Sequence, residues 1–213
     1  AITLLGLDNV SNLLFCFSLK IAFEKQDDPF VVGFWRQTNA VALLSAALAK
    51  RFTTKPSDEA FTFSMLCNVA VPAIAQVHEG YGEFYLDHCF GERGLIIDKE
   101  DATYFVNHTL IGEFITQSWN LPTFLVKGIA QHHNHEEFFG YELNHGNSSS
   151  IVYTALHYLA EHLYCVYTDR GLTQEWAAVR ENVFNILGIS DQLLNELQDD
   201  FFVLYNESEE ALF

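Results

Sequence analysis

Apolar residues recur at three- and four-residue spacings along most of the chain, and no stretch shows the strict alternation that a half-buried strand requires. Asp8 is placed to cap a first helix in which Val10, Leu13, Leu14, Phe17 and Ile21 form one stripe to about Lys25. Asp28 followed by Pro29 reads as an N-cap with proline in the first turn, opening a second helix that carries Phe34, Trp35, Val41, Leu44 and Leu48 to about Phe52. Ser57 is placed to cap a third helix through AFTFSMLCNVAV, which must kink or end at Pro72 because proline offers no amide donor. A short helix over YGEFYLDH precedes a loop marked by Gly91 and Gly94, and one long helix is expected from about Lys99 to Trp119. Leu121-Pro122 starts a further helix ending in His132 and His133, and Asn134 to Ser149 is too polar to be other than a loop. Three more helices are expected near Ser150–Thr168, Gln174–Leu187 and Asp191–Tyr205, capped by Ser149 or Ser150, Thr173 and Ser190 and divided by Gly171 and Gly188. The fold class that follows is all-α, a compact multi-helix bundle with Trp35, Phe61, Leu66 and Ile111 in its core.

Composition narrows the function classes. With 213 residues, 49% of them hydrophobic, the chain can bury a core without disulfides or a metal. A formal charge of -17 repels phosphate backbones and anionic lipid, so neither nucleic acid nor a membrane surface is an expected partner. Charged and polar residues interrupt the apolar runs before the roughly 20 residues of a membrane span, and the start AITLLGLDNV lacks a basic region. The cysteines Cys16, Cys67, Cys89 and Cys165 form no CxxC pair, which fits reduced thiols in a cytoplasmic protein.

Three segments, in order, carry a family resemblance: AITLLGLDNVSNLL; FWRQTNAVALLSAALA followed by AFTFSMLCNVAVPAI; and NHTLIGEFITQSWNLPTFLVKGIAQHH. Together they resemble the HDOD family, a set of bacterial signalling output modules related to the HD phosphohydrolases. The resemblance implies one HD-like helical domain over residues 1–213, with family motifs in 1–165 and C-terminal helices in 166–213. Ala1 enters the pattern partway through and no initiator Met precedes it, so an upstream helical lobe is expected to be lacking, with Leu4 or Leu5 facing it.

HD chemistry draws a His from one helix, an adjacent His-Asp pair from the next and an Asp from a later helix onto a divalent metal that activates water. Carried over by the resemblance, those positions hold Gln37, Cys67, Asn68 and Leu156, which supply no imidazole and no carboxylate. Cys67 has no Lys or Arg beside it to lower its pKa, and a small thiol packed in the core with Asn68 making local hydrogen bonds is the plainer reading. His108, His132 and His133 match positions where HD-GYP relatives bind metal, and His135 lies close by, but HHNHEEFFGYEL lacks the final Gly-Tyr-Pro of that signature. Imidazoles at a helix C-terminus also commonly bond free carbonyls.

The resulting expectation is a pocket lined by Gln37, Cys67, Asn68, His108, His132, His133 and Leu156, with no catalytic residue, no bound metal and no cofactor. The three histidines are the residual metal candidates. The resemblance implies a non-catalytic signal-transduction module that binds a protein partner in a regulatory system. The alternatives are a divergent metal-dependent phosphohydrolase acting on a nucleotide or phosphate ester, and a sensor holding a small ligand in the former pocket. No GxSxG, GxxxxGK[ST] or GxGxxG motif supports another chemistry.

Overall fold

The computed structural model describes residues 28–89, 96–134, 138–140, 149–170 and 173–210, which form ten helices and no strand, with residues 138–140 also helical where a loop was expected. The first helix, α1 (Pro29–Phe52), starts as its sequence dictates: Asp28 Oδ1 accepts from the Phe30 amide at 2.9 Å, with Pro29 in the first turn and Lys50 and Arg51 in the last. It packs against α2 (Ser57–Leu66) and the long α8 (Ser149–Tyr167). α8 is the axis of the bundle, buried almost without interruption from Ile151 to Cys165 and in contact with α1, α2, α7 (Thr123–Gln131), α9 (Gln174–Leu187) and α10 (Asp191–Glu210). A helix apolar on all sides is stable only at the centre of such a packing.

α7 can approach α2 closely because position 128 is glycine: a methyl built there would overlap the Phe63 ring. α9 stops at Gly188, whose φ of 65° is the left-handed cap, and Ser190 Oγ accepts from the Leu193 amide at 3.3 Å to start α10. A second, smaller apolar cluster of Ala70, Val71, Ile74 and Tyr81 joins α3 (Ala70–Val77), α4 (Tyr81–Cys89), α5 (Ile96–Tyr104) and α6 (His108–Ser118). Trp35 and Leu66 are buried as expected, whereas Phe61 and Ile111 are half-buried, packed on the margins of the two clusters.

Two expected helices are each divided, and both divisions serve the site. The helix after Ser57 breaks at Cys67–Val69, ahead of Pro72, which sits in the first turn of α3. Pro72 has no N–H to give the Asn68 carbonyl four residues back, so that carbonyl accepts from Val71 at 3.0 Å instead and the chain bends at Asn68. Ser57 is the first helical residue there, not the cap. The expected helix from Lys99 to Trp119 divides at Phe105, which has a positive φ of 59°, and Asn107 caps α6 by accepting from the Leu110 amide at 2.9 Å.

The Ser57–Val77 stretch is, contrary to expectation, long and apolar enough for a membrane span by length and composition. It is 67% buried within the fold and is divided between α2 and α3. The expected first helix from Asp8 to Lys25, and the placement of Leu4 and Leu5, lie outside the described residues.

Candidate functional site

The divided helices and the end of α7 deliver three imidazoles to one point. His108 is the first residue of α6, where the turn at Phe105 sets it against Glu100 on α5. One oxygen of Glu100 accepts both from the His108 backbone amide at 3.0 Å and from its Nδ1 at 2.7 Å, while the other accepts from the Tyr81 hydroxyl. Glu100 and His108 are fully enclosed. Burial alone would raise the Glu100 carboxyl, but the His108 imidazole and the hydrogen bonds from His108 and Tyr81 outweigh it and hold the pKa below its ordinary value.

His132 and His133 follow the last residue of α7. His132 Nδ1 donates to the Ile129 carbonyl at 2.7 Å, the helix-end role anticipated for it. His133 Nδ1 instead pairs with Glu175 in the first turn of α9. The Tyr158 hydroxyl on α8 donates to the His132 carbonyl and lies 3.4 Å from the other Glu175 oxygen. Burial first, then the neighbouring His133 and His108, keep His132 neutral by pushing its pKa well below the usual value.

A carbonyl or an ionised carboxylate only accepts, so Nδ1 is the donor toward Glu100, the Ile129 carbonyl and Glu175, and Nε2 is the ring nitrogen left on the inner side of each histidine. His108 Nε2 and His133 Nε2 are 2.9 Å apart, and His132 Nε2 is 3.2 Å from Asn68 Oδ1. One ring nitrogen from each histidine lies within 4.8 Å of the others, and all three residues are buried.

The remaining residues expected in the pocket are scattered. Cys67 packs in the hydrophobic core, and burial pushes its thiol pKa well above the ordinary value, with Glu161 and Glu175 adding to the shift. That is the inert thiol anticipated. Leu156 is also core, fully enclosed. Gln37 accepts from Arg170 at 2.7 Å and lines a side chamber of about 70 Å³. Asn68 alone joins the histidines, and its bond reaches 64 residues along the chain, so the expectation of a local one is corrected.

A cavity of about 210 Å³ adjoins the cluster, with His132, His133, His157, Tyr158, Glu161 and Glu175 in its wall, and it shares Asn68, Tyr85, Glu161 and other residues with the side chamber. Burial, with Glu175 nearby, pushes the Glu161 carboxyl up to about 8, while burial draws His157 down to about 4 against the opposing pull of Glu175. His157 Nδ1 is buried and has no hydrogen-bond partner among the described residues.

Sequence reasoning missed Glu100, Glu175, Glu161 and Tyr158. Among 28 acidic residues nothing local distinguishes the three glutamates, since their partners lie on other helices. The donor set of HD hydrolases is not assembled: three of its four positions contribute no donor to the cluster, and Asn68 offers a neutral amide. The three imidazoles do fit a single nitrogen-preferring ion.

Comparison with known proteins agrees with the resemblance seen in the motifs. No curated protein and no solved structure matches the chain. A family model, described as HDOD domain, matches residues 1–135, which include Asn68 and all three clustered histidines. On that match, covering more than half of its length, the chain belongs to the HDOD domain family.

Proposed function

We propose that this chain is a non-catalytic output module of a bacterial cytoplasmic signalling system, acting by binding a regulatory protein partner. The observation that carries the reading is the fate of the HD positions. Cys67 and Leu156 are closed into the hydrophobic core, and Gln37 is turned to Arg170. None of the four HD positions supplies a carboxylate to bridge a pair of hard cations or take a proton from an attacking water. Glu100 and Glu175 occupy the outer, Nδ1 side of their histidines, where they orient rings instead of reacting. A charge of -17 suits a basic partner surface and disfavours nucleic acid and anionic lipid.

The test is hydrolysis of phosphomonoesters, phosphodiesters and nucleotides by purified protein supplied in turn with Mg²⁺, Mn²⁺, Fe²⁺ and Zn²⁺. The expected rate is that of the blank. Turnover that disappears in His108→Ala and His133→Ala would overturn the reading in favour of a divergent phosphohydrolase.

A second reading, a sensor of a small ligand, is favoured by the cavity of about 210 Å³ and by the buried His157 Nδ1, which has no partner among the described residues. Such a ligand would bring a hydrogen-bond donor or acceptor to His157 and Glu161. Protection of α8 from hydrogen exchange by one member of a metabolite panel, abolished by His157→Ala, would establish it.

A further inference from the structure

We propose that His108, His132 and His133 hold one divalent transition ion of the zinc class through their three Nε2 atoms, in a structural and non-hydrolytic site. The proposal goes beyond the signalling role and reverses the expectation of no metal, which came from counting inner donors alone.

Three features of the site converge on a cation. First, all three Nδ1 atoms are committed outward, to Glu100, to the Ile129 carbonyl and to Glu175, so the protons are fixed on the far sides of the rings. Second, the inward atoms are gathered: one ring nitrogen of each histidine lies within 4.8 Å of the others, and all three residues are buried. His108 Nε2 faces His133 Nε2 at 2.9 Å, and His132 Nε2 faces Asn68 Oδ1 at 3.2 Å. Third, the charge balances: Glu100 and Glu175 bring two negative charges to the outer edges of the rings, matching a divalent ion bound to three neutral donors.

The donor atoms lie within 4.8 Å of one another, in reach of one ion after a small closure and too tight for two. Imidazole nitrogens about 2.0–2.1 Å from a tetrahedral zinc stand roughly 3.3 Å apart. The His108–His133 separation therefore needs to open by only a few tenths of an ångström. Imidazole donors select zinc, copper, iron or nickel over magnesium or calcium, which demand oxygen. Asn68 is positioned to offer its carbonyl oxygen as a neutral fourth donor. A neutral oxygen there leaves nothing that would activate a water, so the site is consistent with absence of turnover.

The ion would also explain why Glu175 sits where it does. Through His133 it ties α9 to the end of α7, and through His108 and Glu100 the same ion reaches α5 and α6. One bound ion thus fastens four helices, α5, α6, α7 and α9, at a single point.

The experiment titrates chelator-stripped protein with Zn²⁺ and, separately, Co²⁺, with Mg²⁺ as the control. Expected results are one ion per chain by elemental analysis, a visible Co²⁺ spectrum of low coordination number, and a melting temperature raised by roughly 5 °C or more at a hundredfold excess over Kd. Glu175→Gln keeps every inner donor and should weaken Zn²⁺ binding about 10- to 100-fold. His108→Gln and His133→Gln should abolish the Co²⁺ spectrum, and circular dichroism will show whether each variant is folded. The proposal is overturned if stripped wild-type protein takes up neither Zn²⁺ nor Co²⁺, in which case a shared proton separates the facing nitrogens. It is equally overturned if both histidine variants, folded, bind as the wild type does, or if two ions bind per chain. Hydrolysis by Zn²⁺-loaded protein would refute the signalling reading while leaving the metal site standing, so the two failures are distinguishable.

Discussion

The residues at the positions where HD and HD-GYP proteins bind metal fall into two contrasting groups. On one side His108, His132 and His133 remain gathered, each imidazole held at its outer nitrogen by Glu100, a helix carbonyl or Glu175. On the other, Leu156 and Cys67 lie in the hydrophobic core and Gln37 is occupied by an exposed contact with Arg170. A site whose side chains lack work drifts toward packing, because a buried polar group without a partner costs about 1–3 kcal/mol and an apolar one stabilises. The histidine half has kept a full set of oriented polar partners, which argues that something still requires them.

The sharpest way to break the contrast is Leu156→Asp. If that position has become core, the new carboxylate meets no cation and should destabilise the protein by about 4 kcal/mol or more in a urea melt. An unchanged midpoint would place Leu156 beside the site after all. Next in size, Glu100→Ala leaves the His108 backbone amide, its Nδ1 and the Tyr81 hydroxyl without their acceptor and should cost about 3 kcal/mol. Gly128→Ala acts from outside the pocket by pressing α7 away from Phe63. A loss of about 1–3 kcal/mol is expected, together with shifted imidazole resonances of His132 and His133 in NMR spectra. At the small end, Gln37→Ala should stay within about 0.5 kcal/mol of the parent, since its partner is exposed.

The cavity wall adds a test by pH, best measured with chelator present. Glu161 is raised from 4.5 to about 8, so the folded state binds a proton that the unfolded chain releases near pH 4.5. Its contribution to stability is complete below pH 4.5 and is lost as pH rises toward 8. His157 is lowered from 6.5 to about 4, so its contribution is present above pH 6.5 and is lost as pH falls toward 4. Glu161→Gln should flatten the decline on the alkaline side, and His157→Gln the decline on the acidic side. Melting temperatures across pH 4 to 9 that kept both slopes in both variants would assign them to other groups.

How much of this was legible beforehand depended on how local the cause was. Asp28 before Pro29, Gly188 after Leu187 and the apolar stripe of α1 act within a few residues, and each produced the expected helix end or buried face. The bend at Asn68 was misplaced because a proline acts on the carbonyl four residues before it, not at its own position. The division at Phe105 carried no Gly or Pro signal, and a left-handed Phe is a conformation that only the surrounding contacts can enforce. The three histidines could be read from the sequence through the resemblance. Their carboxylate partners could not, since Glu175 lies 42 residues beyond His133 and resembles any acidic residue in the first turn of a helix.

That pairing of His133 with Glu175 has a consequence for what counts as the unit of inheritance. The recognisable family segment ends at residue 135, yet the acceptor that orients His133 and the hydroxyl that holds the His132 carbonyl are both supplied from beyond it. A recombination event that transplanted residues 1–135 would carry three histidines without the groups that aim them. The working border of the segment therefore lies beyond residue 135, at least as far as Glu175, because the groups that aim its histidines belong with it.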